Sequence, residues 1–145
     1  MIKGFTLIET LVVVVIISVA LSVGVSGFWA YRDQFEVSGE INELVSDLRY
    51  AKQMSIAEQI HHGIRFDFSN NSYKVIRYED NEVIRENIFP PGVELHAVDD
   101  YDEARFTRFG AVFKSGEVMV KGHDFSRLIK IKPSGFFHVE RIDFN

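Results

Sequence analysis

The sequence predicts an α+β fold, one long amino-terminal α-helix packed on an antiparallel β-sheet domain. Three observations carry this. An almost uninterrupted apolar run from Leu11 to Val25 opens the chain. Ile41, Leu44, Val45, Leu48 and Ala51 then recur at steps of three to four, a helical stripe. From Ile64 onward the apolar period changes to two, with turn residues between the short runs.

Residues 5–25, as a helix rising 1.5 Å per residue, are about 30 Å long, the thickness of a bilayer's hydrocarbon. In lipid a single span must satisfy its own backbone, which leaves helix as the only option. Glu9 is the one acid in this run. A carboxylate in hydrocarbon costs on the order of a few kcal/mol, so it calls for a partner. A cleaved secretory signal fits poorly: Met1-Ile2-Lys3 is a thin basic region and Val25-Ser26-Gly27 a poor cleavage site. A buried core helix fits less well still, because the run is apolar on all faces. Ser18, Ser22, Gly24, Ser26 and Gly27 punctuate its second half, where the helix could unwind during packing or approach a neighbour closely. Phe28, Trp29, Tyr31 and Arg32 suit the outer membrane interface.

The helix is expected to run to about Gln59, with Glu40, Glu43, Asp47, Arg49 and Lys52 mostly opposite the apolar stripe. His61, His62 and Gly63 are read as its stop, Gly63 supplying the left-handed residue. Ile64, Phe66 and Phe68 alternate with Arg65 and Asp67, and Ser69-Asn70-Asn71-Ser72 turns the chain into a strand at 73–78. Asp80-Asn81 marks a second turn before a strand at 83–88. Pro90-Pro91-Gly92 interrupts pairing, Val93, Leu95 and Ala97 resume it, and residues 99–103 read as an acidic loop. Later strands are expected at 105–109, 117–121, 127–132 and 136–142. Many short strands beside one helix argue for antiparallel sheets packed on that helix.

The string Gly4-Phe5-Thr6-Leu7-Ile8-Glu9 at the head of the apolar run resembles the processing and assembly signature of type IV pilins and pseudopilins. The resemblance implies a leader at 1–4 removed by a prepilin peptidase between Gly4 and Phe5, and N-methylation of Phe5. It implies a transmembrane helix at 5–28, an amphipathic helix at 29–62 and an extracytoplasmic β-domain at 63–145. It also implies that Glu9 meets the amino terminus of a neighbouring subunit in a filament. The implied partners are other pilins or pseudopilins, the peptidase, an inner-membrane assembly platform and membrane lipid. Unlike many major pilins, this chain has no proline between Phe5 and Phe89. The order of elements is similar to H-type minor pseudopilins of type II secretion and to competence minor pilins. Those likenesses imply a filament for DNA uptake or pilus assembly, or alternatively for secretion.

The 145 residues carry a net charge of −5, unevenly spread. Residues 30–103 hold 7 basic and 16 acidic side chains, residues 104–145 8 basic and 4 acidic. Pilins of some transformation systems bind DNA near the carboxyl end, which makes Arg127, Lys130, Lys132, His138 and Arg141 candidates here. Lys130 and Lys132 share one face of the expected strand and could meet neighbouring phosphates. Asp124, Glu140 and Asp143 stand against that, and a solvated strand face is the simpler reading.

With no cysteine, neither disulfides nor thiolate metal sites are possible. His61 and His62 are adjacent and point apart, so no histidine metal site is expected. Asp99, Asp100, Asp102 and Glu103 could gather round Ca²⁺ but lack an EF-hand's spacing, so a solvated loop is expected. No nucleophile elbow, phosphate loop or dinucleotide motif occurs. The expectation is a non-enzymatic protein without a cofactor.

Overall fold

The computed structural model describes residues 6–123 and 125–142, and the side chains of these except at 23–34. One helix, α1 (Leu7–Ala57), precedes eight strands: β1 (His62–Asp67), β2 (Ser72–Arg77), β3 (Glu82–Ile88), β4 (Glu94–Ala97), β5 (Glu103–Phe106), β6 (Gly116–Lys121), β7 (Ser126–Ile131) and β8 (Phe137–Ile142). The chain divides into two compact units, Met1–Arg32 and Asp33–Asn145.

In the first unit the helix is continuous through Ser18, Ser22 and the glycines that follow. Thr6 caps it: its Oγ1 accepts the Glu9 N–H at 3.3 Å and its carbonyl accepts the Thr10 N–H at 3.2 Å. Thr10, Ser18 and Ser22 each turn the hydroxyl back onto a carbonyl of the preceding turn, at 2.8, 2.7 and 2.8 Å. The helix therefore satisfies its own hydroxyls as well as its backbone. Among the described residues no helix is long and apolar enough to cross a membrane. The described apolar side chains, Leu7 to Leu21, are exposed all round.

The second unit contains two four-stranded antiparallel sheets, ordered β3-β2-β1-β5 and β4-β6-β7-β8. The chain builds β1 to β3 as a meander, crosses once to lay down β4, returns to place β5 beside β1, and finishes with the β6 to β8 meander. Val37, Ile41, Leu44, Leu48 and Ala51 of α1 seat on Ile64, Phe66, Val75, Phe106, Val118, Val120, Ile129 and Ile131 of the sheets in one core. Each fully buried side chain of this size contributes about 1.5–3 kcal/mol.

Four expectations need correction. The helix stops at Ala57, and the left-handed residue is Gln59 (φ 60°), not Gly63. Gly63 lies inside β1, where a Cβ would run into the carbonyl oxygen of Ala104 on β5; its smallness is needed for strand approach, not for a turn. The strand expected at 105–109 is β5, which starts two residues earlier, while Thr107 to Gly110 (φ 80°) form a turn closed by the Gly110 N–H on the Thr107 carbonyl at 2.8 Å. The acidic loop is accordingly broken up. Tyr101 is buried, and Glu103 sits in β5 accepting the Tyr78 hydroxyl at 2.8 Å. Asp47, expected on the outer face of α1, is buried.

Candidate assembly site

Glu9 stands in the first turn of α1, held there by the Thr6 cap. A carboxylate at that end of a helix is favoured by the unsatisfied N–H groups. Apart from Thr6 and Thr10, the described side chains around it are apolar and exposed, Leu7 at 81% and Ile8 at 75%. It is the only ionisable side chain from Thr6 to Ser22. Gly4 and Phe5, the expected cleavage and methylation residues, lie outside the described residues. What the described geometry supplies is one carboxylate in the first turn of an apolar helix, with no cationic side chain among the described residues from Thr6 to Ser22.

Residues 1–25 match the model for the prokaryotic N-terminal methylation motif. The chain thus joins a prepilin-type methylation motif to a fold similar to that of solved minor pilins. The fold is similar to that of the type IV minor pilin FimU of Pseudomonas aeruginosa, with a TM-score of 0.64 at 15% identity over 76% of this chain and 92% of that one. A second crystal form of FimU gives 0.58 at 14% identity, over 74% of this chain and 91% of that one. The minor pseudopilin EpsH from the Type 2 Secretion System of Vibrio cholerae gives 0.62 at 10% identity, over 73% and 97%. No curated protein sequence matches the chain.

The second unit places the basic candidates on two strands, β7 and β8, and just beyond β7. The register sets Arg127 opposite Arg141 and Lys130 opposite His138. Alternation along each strand then divides them. Arg127 and Arg141 share the sheet face of Ile129 and Val139, whereas Lys130 and His138 share the other with Leu128 and Glu140. Lys132 lies just beyond β7. Lys130 is held by Glu140 at 3.0 Å and Glu117 at 3.7 Å. The hydrogen bond with Glu140 raises the Lys130 pKa, and the same bond lowers that of Glu140. His138 also reaches Glu140, at 3.7 Å. The candidates thus form no single row, and the cation at their centre is neutralised.

His61 and His62 diverge as expected. His61 Nδ1 lies 3.3 Å from the Phe106 carbonyl and its ring packs edge-on to Phe113, while His62 is buried with Nε2 3.2 Å from Glu58. Among the described residues no group of three or more His, Asp or Glu side chains is placed to hold a metal ion.

The cluster that sequence reasoning missed centres on Asp47. Its carboxylate accepts the Tyr73 hydroxyl at 2.9 Å and Arg85 at 2.5 Å. Asn87 adds bonds to the Tyr73 hydroxyl at 3.3 Å and to Glu40 at 3.4 Å. Burial raises the Tyr73 pKa, and burial followed by the nearby Glu43 raises that of Glu40. The network ties α1 to β2 and β3. Its one sequence signal is that Asp47 falls four residues from Glu43 and seven from Glu40, next to the core stripe rather than opposite it.

Proposed function

We propose that this chain is a minor pilin or pseudopilin, a subunit of a type IV pilus-like filament rather than an enzyme. The observation that carries the reading is the lone carboxylate of Glu9 at the head of an exposed apolar helix, within a matched prepilin motif. A prepilin peptidase removes residues 1–4, Phe5 is methylated, and residues 5–28 anchor the subunit in the plasma membrane with the β-domain outside. An assembly platform then moves it into the filament. There the Glu9 carboxylate pairs with the Phe5 amine of a neighbouring subunit, so that two charges share an apolar environment only when the subunits are in register. The neighbours in fold, a pilus and a secretion subunit, support pilus assembly, with type II secretion the alternative; DNA uptake, with a DNA-binding receptor as its variant, is proposed on the resemblance to competence minor pilins alone.

Glu9→Val tests this in cells. The variant is expected to be inserted and cleaved normally but to fall at least about tenfold in filament fractions, the loss of one buried charge pair. Normal incorporation would remove the proposed pairing. Mass spectrometry of native material should show an amino terminus at Phe5 bearing a methyl group; an intact Met1, or loss of the whole apolar segment, would refute the processing route.

A further inference from the structure

The uneven charge of the sequence becomes a spatial pattern in the second unit. On α1, Glu36, Glu40, Glu43 and Asp47 follow one another at steps of four, three and four, so they form one flank of the helix. That flank lies beside β3, the outer strand of its sheet, through Asn87 to Glu40 and Arg85 to Asp47. Asn42, Val45, Arg49, Lys52 and Ile56 run at helical steps along another flank. Here α1 borders the other sheet's outer strand, β8, in a groove lined by Val45, Arg49, Arg127 and Val139 and continued by Lys52 and Phe136. The core stripe of α1 separates the two flanks, so one is anionic and the other cationic.

Each flank has charges that the chain itself leaves unused. Neither Glu43 nor Arg49 makes an ion pair among the described residues, and both are exposed. Arg127 Nε is buried with no hydrogen-bond partner, a donor at the groove that lacks an acceptor. Lys52 sits 4.7 Å over the Phe136 ring and donates to the Gly135 carbonyl at 2.9 Å. Apolar side chains flank the groove: Ile56 and Phe136 are 43% and 68% exposed there. A surface with these two complementary patches on opposite flanks associates heterologously, which propagates along a line instead of closing as a two-fold dimer.

We infer that a second copy of this chain docks head to tail, its Glu40–Glu43 flank and β3 edge seated on the cationic groove of Arg49, Lys52 and Arg127. Setting Glu43 opposite Arg49 shifts one helix along the other by six residues, about 9 Å at 1.5 Å per residue. The inference rests on the filament reading above, which aligns the helices side by side, and it adds a partner and a surface that Glu9 does not specify.

The absence of cysteine makes the test direct. Full-length chains carrying Glu43→Cys or Arg49→Cys are expressed in membranes with a prepilin peptidase, alone and together, and oxidised. Docking predicts a disulfide-linked dimer only when the two variants are mixed, and a ladder of multimers from a chain carrying both. Dimers from either variant alone, or cross-linking only to a different protein, would overturn it. Cleaved, filament-associated protein that gives no mixed cross-link refutes the docking and leaves the filament reading standing, whereas uncleaved protein refutes both. Charge reversal provides the second arm. Glu43→Lys and Arg49→Glu should each weaken self-association of the detergent-extracted chain by about tenfold, and an equimolar mixture should restore most of it. If the mixture associates no better than either variant, the patches do not meet.

Discussion

Asp47 shows how one buried charge can fasten a helix to a sheet. Its exposure is 1%, and two donors on two strands satisfy it. Removing the acid leaves the Tyr73 hydroxyl buried without its acceptor and Arg85 without its pair, so Asp47→Ala is expected to cost about 3 kcal/mol. Tyr73→Phe deletes one donor and leaves Arg85 in place, for about 1–2 kcal/mol. Urea unfolding of both variants checks the order. A second residue-scale prediction concerns acid. Asp80 is bound by Arg77 at 2.6 Å, and that bond holds its pKa down, from the usual 3.8 to about 2. A carboxyl lowered on folding adds stability above its unfolded pKa and loses it as pH falls through the folded one. The wild type should therefore lose a small increment between about pH 4 and pH 2 that Asp80→Asn lacks, measured as the difference in urea midpoint across that window. The increment is small because the pair lies in water. Glu40 works in the opposite sense: burial raises its pKa, so its contribution is present in acid and declines as pH rises through the raised value.

At the scale of elements, the two sheets depend on a turn. Asn71 (φ 50°) closes the β1–β2 hairpin, donates to the Val93 carbonyl at 2.7 Å and accepts the Leu95 N–H at 2.7 Å. It thus joins the turn of one sheet to the start of β4 in the other. Asn71→Gly keeps the left-handed backbone but strips both bonds, and is expected to cost about 2 kcal/mol in urea unfolding. Gly63 imposes a complementary constraint, since β1 and β5 approach there without room for a Cβ. Gly63→Ala forces the strands apart and should cost roughly 2–3 kcal/mol by the same measurement. A smaller effect than in Asn71→Gly would mean that β5 shifts easily.

For the whole molecule, the division into two units sets where stability resides. The core begins at Val37, and its members all belong to the second unit, whereas the described apolar side chains of the first unit are exposed. A chain starting at Asp33 is therefore expected to fold cooperatively in water, with a stability within about 1 kcal/mol of the full chain in detergent, because it keeps every described core residue. Broad, non-cooperative urea unfolding of that fragment would show that the first unit contributes to the core. The proposed assembly would draw on what the core leaves out: the apolar rod, the acid at its head, and the charged flanks.

The sequence by itself determined the order and type of nearly every element, the two Asn-containing turns and the prepilin motif. Each of these is a short-range matter: apolar period selects helix or strand, and left-handed turns select asparagine or glycine within a few residues. The tertiary structure alone decided that the strands form two sheets, that Gly63 serves a close approach to Ala104 and not a helix stop, that Asp47 is buried, and that the basic candidates on β7 and β8 divide between two faces. These depend on which strand lies beside which, and on a register set by distant residues packing into one core, information that local patterns do not hold. The charge imbalance between the two halves of the chain was plain in the sequence. That Arg127, from the basic half, joins Arg49 and Lys52 along one flank of α1 is a product of the fold, because β7 and β8 come to border the helix only after the chain has crossed between sheets.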